Sequence, residues 1–347
     1  MHTSKRGFEP AKKYRKGRTQ MNSQATQFIP NDFKKLCSVS AHLIQEIEKA
    51  VIGKRHEIKL VLTALLAGGH VLIEDVPGVG KTTLAASLAK AAGLDFKRAQ
   101  FTPDVTASDI TGFNIYSRTT EAFSFHPGLA MTNILLADEI NRTSPKTQAA
   151  LLEVMEEKHV TVDGQTHELP NPFMVIATQN PTGFVGTYPL PESQLDRFTM
   201  KISMGYPTTE EETSILLRKE ANSPLDAVRP AANTEVIRLL RAAVRKILVD
   251  PEICTYIISL ITATRRHPSL QLGASPRASL ALLHAAQAYA FLNEREYVIP
   301  EDIAAIFHQV VAHRLLLSQS AEPNTADVRE ILYDILRKTP APFRGKR

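Results

Sequence analysis

Three groups of residues have the types and the spacing for phosphate chemistry. In Asp75-Val76-Pro77-Gly78-Val79-Gly80-Lys81-Thr82-Thr83, two glycines lead into a lysine and two threonines. The backbone N–H groups of such a turn point at one spot and favour an anion there. Gly78 and Gly80 admit unusual dihedrals and close backbone approach. Lys81 can reach the β- and γ-phosphates of a nucleotide, and the Thr82 hydroxyl can ligate Mg²⁺. The strict pattern places a glycine where this chain has Asp75. The second group is Asp138-Glu139, two carboxylates ending an apolar run 57 residues beyond Lys81. Neighbouring strand residues point to opposite sides, so one carboxylate can hold Mg²⁺ while the other faces a water. Metal-assisted hydrolysis of a phosphoanhydride needs that arrangement. The third is Asn180, a polar residue at the end of Phe173-Met174-Val175-Ile176-Ala177-Thr178. There it could orient the attacking water, although Asn-Pro by itself marks a turn.

The elements that must hold these groups are readable. Val71-Leu72-Ile73 predicts a buried strand, and residues 83–92 a helix ended by Gly93. Strand, glycine turn and helix are the context that a phosphate loop requires. Ahead of them, residues 33–67 read as two helices broken near Val51-Ile52-Gly53-Lys54; the second carries Ile58, Val61, Leu62, Leu65 and Leu66 at helical spacing. Residues 95–101 alternate as a strand, and 112–130 predict a hairpin-like insertion rich in aromatics, with packing against the domain favoured over partner contact. Asn133 to Asp138 and Phe173 to Thr178 read as buried strands, and Ser144-Pro145 starts a helix. Asp163-Gly164 between two alternating stretches predicts a hairpin, with His159 and His167 exposed and without metal-ligand spacing. From about Thr208 helices dominate: 210–220, 234–249, 253–265, 277–292, 301–317 and 325–337. A domain boundary is expected near Tyr206-Pro207, giving a basic, disordered tail over 1–32, a nucleotide-binding core over 33–206 and a helical region over 207–347.

Composition narrows the classes. The 347 residues are 43% apolar, enough for two cores. Cys37 and Cys254 lie far apart without metal spacing, which fits a reducing compartment. The longest apolar stretch, Leu60 to Ile73, is too short to span a bilayer, and no secretory signal is evident. Residues 1–20 hold seven basic residues against Glu9, a balance of +6; set against +5 for the whole chain, that leaves the remainder at −1. The basic tail is thus a weak nucleic-acid signal, and Met21 is a second candidate start.

The order of phosphate loop, Asp-Glu strand, Asn strand end and helical region resembles the AAA+ ATPases. The closest resemblance is to the MoxR family. It is carried by residues 72–82, by Leu136-Ala137-Asp138-Glu139-Ile140-Asn141-Arg142, by 145–153, by Ala177-Thr178-Gln179-Asn180-Pro181, and by Gly186 to Phe198. The resemblance covers about residues 35–320. It implies a P-loop α/β ATPase domain, its parallel sheet ordered 5-1-4-3-2, followed by an all-α lid. In that family Pro77, Gly78, Val79, Gly80, Lys81, Thr82 and Thr83 would form Walker A, and Ile52 would lie near the adenine. Asp138 would be the metal residue of Walker B, with Thr82, and Glu139 the base; Asn180 would be sensor 1. Arg197 resembles the arginine finger, reaching the γ-phosphate of a neighbouring subunit, and Arg142 is its rival. Arg277 resembles sensor 2, swinging from the lid onto the same phosphate. The implied reaction is hydrolysis of MgATP, with ATP and Mg²⁺ bound between subunits of a hexameric ring. The implied role is chaperone-like remodelling or maturation of proteins, with a von Willebrand factor A domain partner, in bacterial cytoplasm. Two other classes stay open: a nucleic-acid motor, which the core charge disfavours, and a nucleotide-gated binding module with little turnover.

Overall fold

The computed structural model describes residues 30–119, 121–180, 188–218, 223–318 and 327–342. The disordered tail expected over 1–32 lies outside them up to residue 29, while 30–32 are already helical. The chain opens with α1 (Pro30–Glu48) and α2 (Arg55–Ala67). Ile58, Val61, Leu62, Leu65 and Leu66 of α2 are all buried, and Gly68 ends the helix in the left-handed region, its N–H reaching the Ala64 and Leu65 carbonyls. Then follow β1 (Val71–Glu74), α3 (Lys81–Ala92), β2 (Phe96–Gln100), α4 (Ala107–Thr111), β3 (Gly112–Ser117), β4 (Ala122–Pro127), β5 (Ile134–Asp138), α5 (Pro145–Glu157), β6 (His159–Val162), β7 (Gln165–Glu168), β8 (Met174–Gln179), α6 (Glu192–Leu195) and β9 (Met200–Ile202).

Five strands form one parallel sheet in the order β2-β5-β8-β1-β9. Counted among these five alone, that is the expected 5-1-4-3-2. Strand alternation divides the core between two faces. Ile73, Leu136 and Ile176 pack with α1, α2, α3 and the later helices, whereas Leu72, Leu135 and Val175 pack with α5, Phe101 and Phe198. Each is fully buried, a contribution of about 1.5–3 kcal/mol per side chain. The three-residue β9 went unread in the sequence because Lys201 breaks its apolar run and its only partner in the sheet, β1, lies over a hundred residues away.

The later part holds α7 (Thr209–Arg218), α8 (Thr234–Val244), α9 (Pro251–Arg266), β10 (Leu270–Leu272), α10 (Pro276–Leu292), α11 (Pro300–Val311), β11 (Leu316–Leu317) and α12 (Val328–Lys338). Among the described residues it is a helical lid with one small antiparallel pair, β10 with β11. The helix expected over 301–317 stops at Val311, because His313 and Arg314 turn inward onto carbonyls of the 196–199 segment. The helix expected to reach Val249 stops at Val244, and Leu248 instead bonds the backbone of Glu296 and Val298.

The 112–130 insertion is the β3–β4 hairpin. Of its aromatics, Phe125 packs against the core, and its ring stacks on His167 with centroids 3.7 Å apart. Phe113, Tyr116 and Phe123 remain exposed, against the expected packing. His159 and His167, expected to be exposed, are both half-buried.

Candidate active site

β1 delivers the chain into the glycine turn at the carboxyl end of the sheet. Gly78 and Gly80 take φ of +90° and +94°, which side chains rarely adopt. A Cβ at Gly78 would meet nothing within 4 Å, and one at Gly80 only the Met204 methyl at 3.9 Å. The space above the turn is therefore open to a ligand. α3 starts at Lys81 with no side chain capping its first turn, so its N–H groups are free for an anion. Lys81 folds over the turn, its Nζ donating to the carbonyls of Asp75 at 2.8 Å and Val76 at 3.2 Å. Burial pushes the Lys81 pKa below the ordinary lysine range, although Asp75, Asp138 and Glu139 oppose that. Open glycines, uncapped N–H groups and an ammonium suit a chain of phosphates.

Asp75, the departure from the strict pattern, clamps the loop. Its carboxylate accepts from Ser203 Oγ at 3.0 Å, the Met204 N–H at 2.6 Å, the Gly205 N–H at 2.7 Å and the Val76 N–H at 3.0 Å. Burial alone would raise its pKa, but these donors together hold it below the usual aspartate value. The clamp ties the loop to the segment leaving β9, which in turn meets the 51–54 turn where Lys54 Nζ reaches the Tyr206 carbonyl at 3.0 Å. Ile52 is half-buried in that turn, on the loop's side of the molecule. Asp75→Ala is expected to lower the unfolding free energy by about 2–4 kcal/mol, the scale of charge-assisted hydrogen bonds lost together. Urea denaturation measures it. The difference from wild type should be full above about pH 4, the ordinary aspartate value, and close as pH falls through the depressed pKa. A loss under about 0.5 kcal/mol, the size of an ordinary surface change, would reject the clamp.

β5 and β8 bring the acidic pair beside the loop. Asp138 is buried; Thr178 Oγ1 donates to its Oδ1 at 3.1 Å, and Arg98 Nε to its Oδ2 at 2.7 Å. Thr178 also accepts the Glu139 N–H at 2.9 Å, so one hydroxyl fixes both acids. Thr82 makes no side-chain hydrogen bond among the described residues. A hydroxyl and a carboxylate, both hard oxygen donors, fit Mg²⁺, with Arg98 occupying the carboxylate that a metal would contact. Glu139 has φ +56° and ψ +48°, a strained conformation for a residue with a side chain. Its Oε1 accepts from Asn180 Nδ2 at 3.3 Å and its Oε2 from Arg142 Nη1 at 2.9 Å. Burial raises its pKa, but Arg142, Asn180 and Gln100 outweigh that, and the net shift is downward. Such a carboxylate stays anionic and orients a water more readily than it takes a proton. Arg142 is thus engaged within its own chain.

Arg197 and Arg277 lie elsewhere. Arg197 precedes β9, whose Met200 pairs with Val71 at the start of β1, whereas the loop follows the other end of that strand, about 13 Å away by strand rise. α5 runs back to the same edge: the Met155 carbonyl meets the ring of His70, next to β1's start. There Glu156 binds both arginines, with Arg197 Nη1 at 3.2 Å from Oε2 and Arg277 Nη2 on Oε1. The two guanidinium groups line a small cleft of about 170 Å³ with Met155 and Glu156. The lid fixes this edge. Arg314, buried, donates to Asp196 Oδ1 at 2.7 Å and the Phe198 carbonyl at 2.7 Å, and Ser275 Oγ donates to Asp196 Oδ2 at 2.9 Å.

The structure thus gathers Pro77 to Thr83, Asp138, Glu139 and Asn180 at one edge of the sheet and leaves Arg197 and Arg277 at the other. Sequence reasoning missed Asp75 as a clamp, Thr178, Arg98, Glu156 and Arg314. Thr178 could have been found, since it stands two positions before Asn180 at the end of a buried strand.

Residues 70–200 match the family profile "ATPase family associated with various cellular activities (AAA)", and 262–335 match the AAA lid domain. The uncharacterized protein YeaC of Bacillus subtilis (strain 168) is 50% identical over 299 residues, 86% of this chain and 93% of YeaC. The chaperone MoxR1 of Mycobacterium tuberculosis (strain ATCC 25618 / H37Rv) is 39% identical over 308 residues, 86% of this chain and 81% of that one. A crystal structure of a Cytophaga hutchinsonii ATCC 33406 protein assigned as an ATPase superposes with a TM-score of 0.85 at 38% identity, covering 90% of this chain and 98% of that one.

Proposed function

The chain belongs to the MoxR family of AAA+ ATPases, and from that premise we propose that it hydrolyses MgATP at contacts between its own copies and uses the cycle to remodel or mature partner proteins. One observation carries the reading. The phosphate loop and the pair Arg197–Arg277 occupy opposite edges of one sheet. Neither arginine is placed to reach the chain's own loop, whereas the loop of a second copy docked edge to edge could receive both. A ring, expected to be hexameric, closes such head-to-tail contacts.

Within the loop, the N–H groups of the turn and of α3 take the phosphate oxygens, and Lys81 exchanges its two backbone carbonyls for them. Thr82 and Asp138 would hold Mg²⁺, which when bound would offset phosphate charge. Glu139, kept anionic by Arg142 and Asn180, polarises the attacking water. Arg197 and Arg277 leave Glu156 and offset the charge that develops on the neighbour's phosphates. A von Willebrand factor A domain protein is the partner type the family suggests, and the cytoplasm its compartment.

Turnover per subunit, measured against protein concentration with particle size in parallel, tests the shared site. It should rise steeply as copies assemble. Turnover independent of concentration in a chain that stays monomeric would leave a self-contained ATPase.

A further inference from the structure

A second basic site lies away from the nucleotide loop. Lys158 follows α5, Glu168 to Phe173 connect β7 to β8, and α8 crosses beside them; together they enclose a cavity of about 360 Å³. Its lining carries Lys158, Arg238, Arg241 and Arg245 against one carboxylate, Glu168. Arg238 is neutralised by Glu235 at 2.6 Å and anchored on the Asn171 carbonyl at 2.8 Å. Arg241 lies over Gly68 at the end of α2 and donates from Nη1 to Asn171 Oδ1 at 3.4 Å. Lys158 and Arg245 have no ion-pair partner among the described residues. The cations strain against one another: burial and then Arg241 and Arg245 push the Lys158 pKa down, and burial and then Arg245 do so for Arg241.

We propose that this cavity binds a short chain of phosphoryl groups, free or as the tail of a nucleotide. Three of the four cations are arginines, whose planar forks take oxyanions in pairs. Arg238, Arg241 and Arg245 follow one face of α8 and its C-terminal end over about 10 Å, too long for one phosphate and suited to two or three linked ones. The volume lies within the range of small-molecule sites. Leu169, Pro170 and Phe173 wall the cavity, so it is a recess rather than an open basic face, which disfavours an extended polymer. It belongs to the edge opposite the loop, because Phe173 immediately precedes β8.

The test is calorimetric titration of the full chain carrying Lys81→Ala, at low salt, which weakens binding at the loop. Inorganic tripolyphosphate should bind once per chain. Arg241→Gln with Arg245→Gln should weaken it about tenfold or more, the scale of charge-assisted contacts. Lys158→Gln, at a position with no ion-pair partner among the described residues, should weaken it about threefold or more while far-ultraviolet circular dichroism stays that of wild type. ATP binding more tightly than tripolyphosphate, and weakened by the same substitutions, would identify a nucleotide tail; equal affinity would identify the free chain. No binding, or binding that none of the substitutions changes, would overturn the proposal. So would a hexaglutamate peptide that binds at least as tightly and is lost in the same variants.

Discussion

Glu139→Gln is expected to bind ATP as wild type does and to lose turnover by about 10²–10⁴-fold, the range for removing a positioned carboxylate that acts on the attacking water in the transition state. The substitution is nearly isosteric, and the site can absorb it. Arg142 needs an acceptor, which the amide oxygen supplies. Asn180 then meets an amide nitrogen instead of a carboxylate oxygen, and by rotating its own amide it can present Oδ1 in place of Nδ2. The fold and the strained backbone at residue 139 are therefore retained, while the negative charge beside the water site is lost. Single-turnover hydrolysis with radiolabelled ATP, read beside equilibrium binding, separates the two effects. Unchanged hydrolysis at unchanged affinity would remove Glu139 from its role and leave the chain closer to a nucleotide-gated binder whose slow turnover has another origin.

What could be read from the sequence follows how locally each feature is encoded. The glycine turn, the acidic pair and the buried strands are contiguous, and their spacing reflects one strand and the turn after it. The sheet order came from the family resemblance, and the strand pairings bear it out. Asp75 looked like a missing glycine, because the groups it binds, Ser203 to Gly205, stand 128 to 130 residues later. Arg98 on Asp138 spans 40 residues, and Glu156 joins Arg197 to Arg277 from a helix of which the sequence showed the Ser144-Pro145 start but no link to either arginine. The end of α11 is another such case: local propensity favours continuing the helix, and the buried hydrogen bonds of Arg314 to the 196–199 segment override it. The exposed aromatics of the β3–β4 hairpin show the opposite failure, apolar residues whose burial the sequence over-predicted.

Arg197→Ala should keep ATP affinity and lose about 10³–10⁵ in turnover, the value of a guanidinium that meets the phosphates only in the transition state. Loss of activity alone would not distinguish a partner-facing role from a structural one, since Arg197 also donates to the Leu152 carbonyl at 2.7 Å and pairs with Glu156. Mixing decides it. Chains with Arg197→Ala keep an intact loop and Glu139; chains with Glu139→Gln keep an intact Arg197. If each site is built from two copies, an assembly containing both inactive chains has contacts where a sound loop faces a sound arginine, and turnover returns in part. If Arg197 acts only within its own chain, each chain stays defective and the mixture stays inactive at every ratio. Activity recovered on mixing, with particle size unchanged, would therefore locate the arginine's action across the contact, where the separation of the two edges of the sheet points. A mixture that stays silent while the copies demonstrably exchange would remove the shared site and return Arg197 to its place as the partner of Glu156.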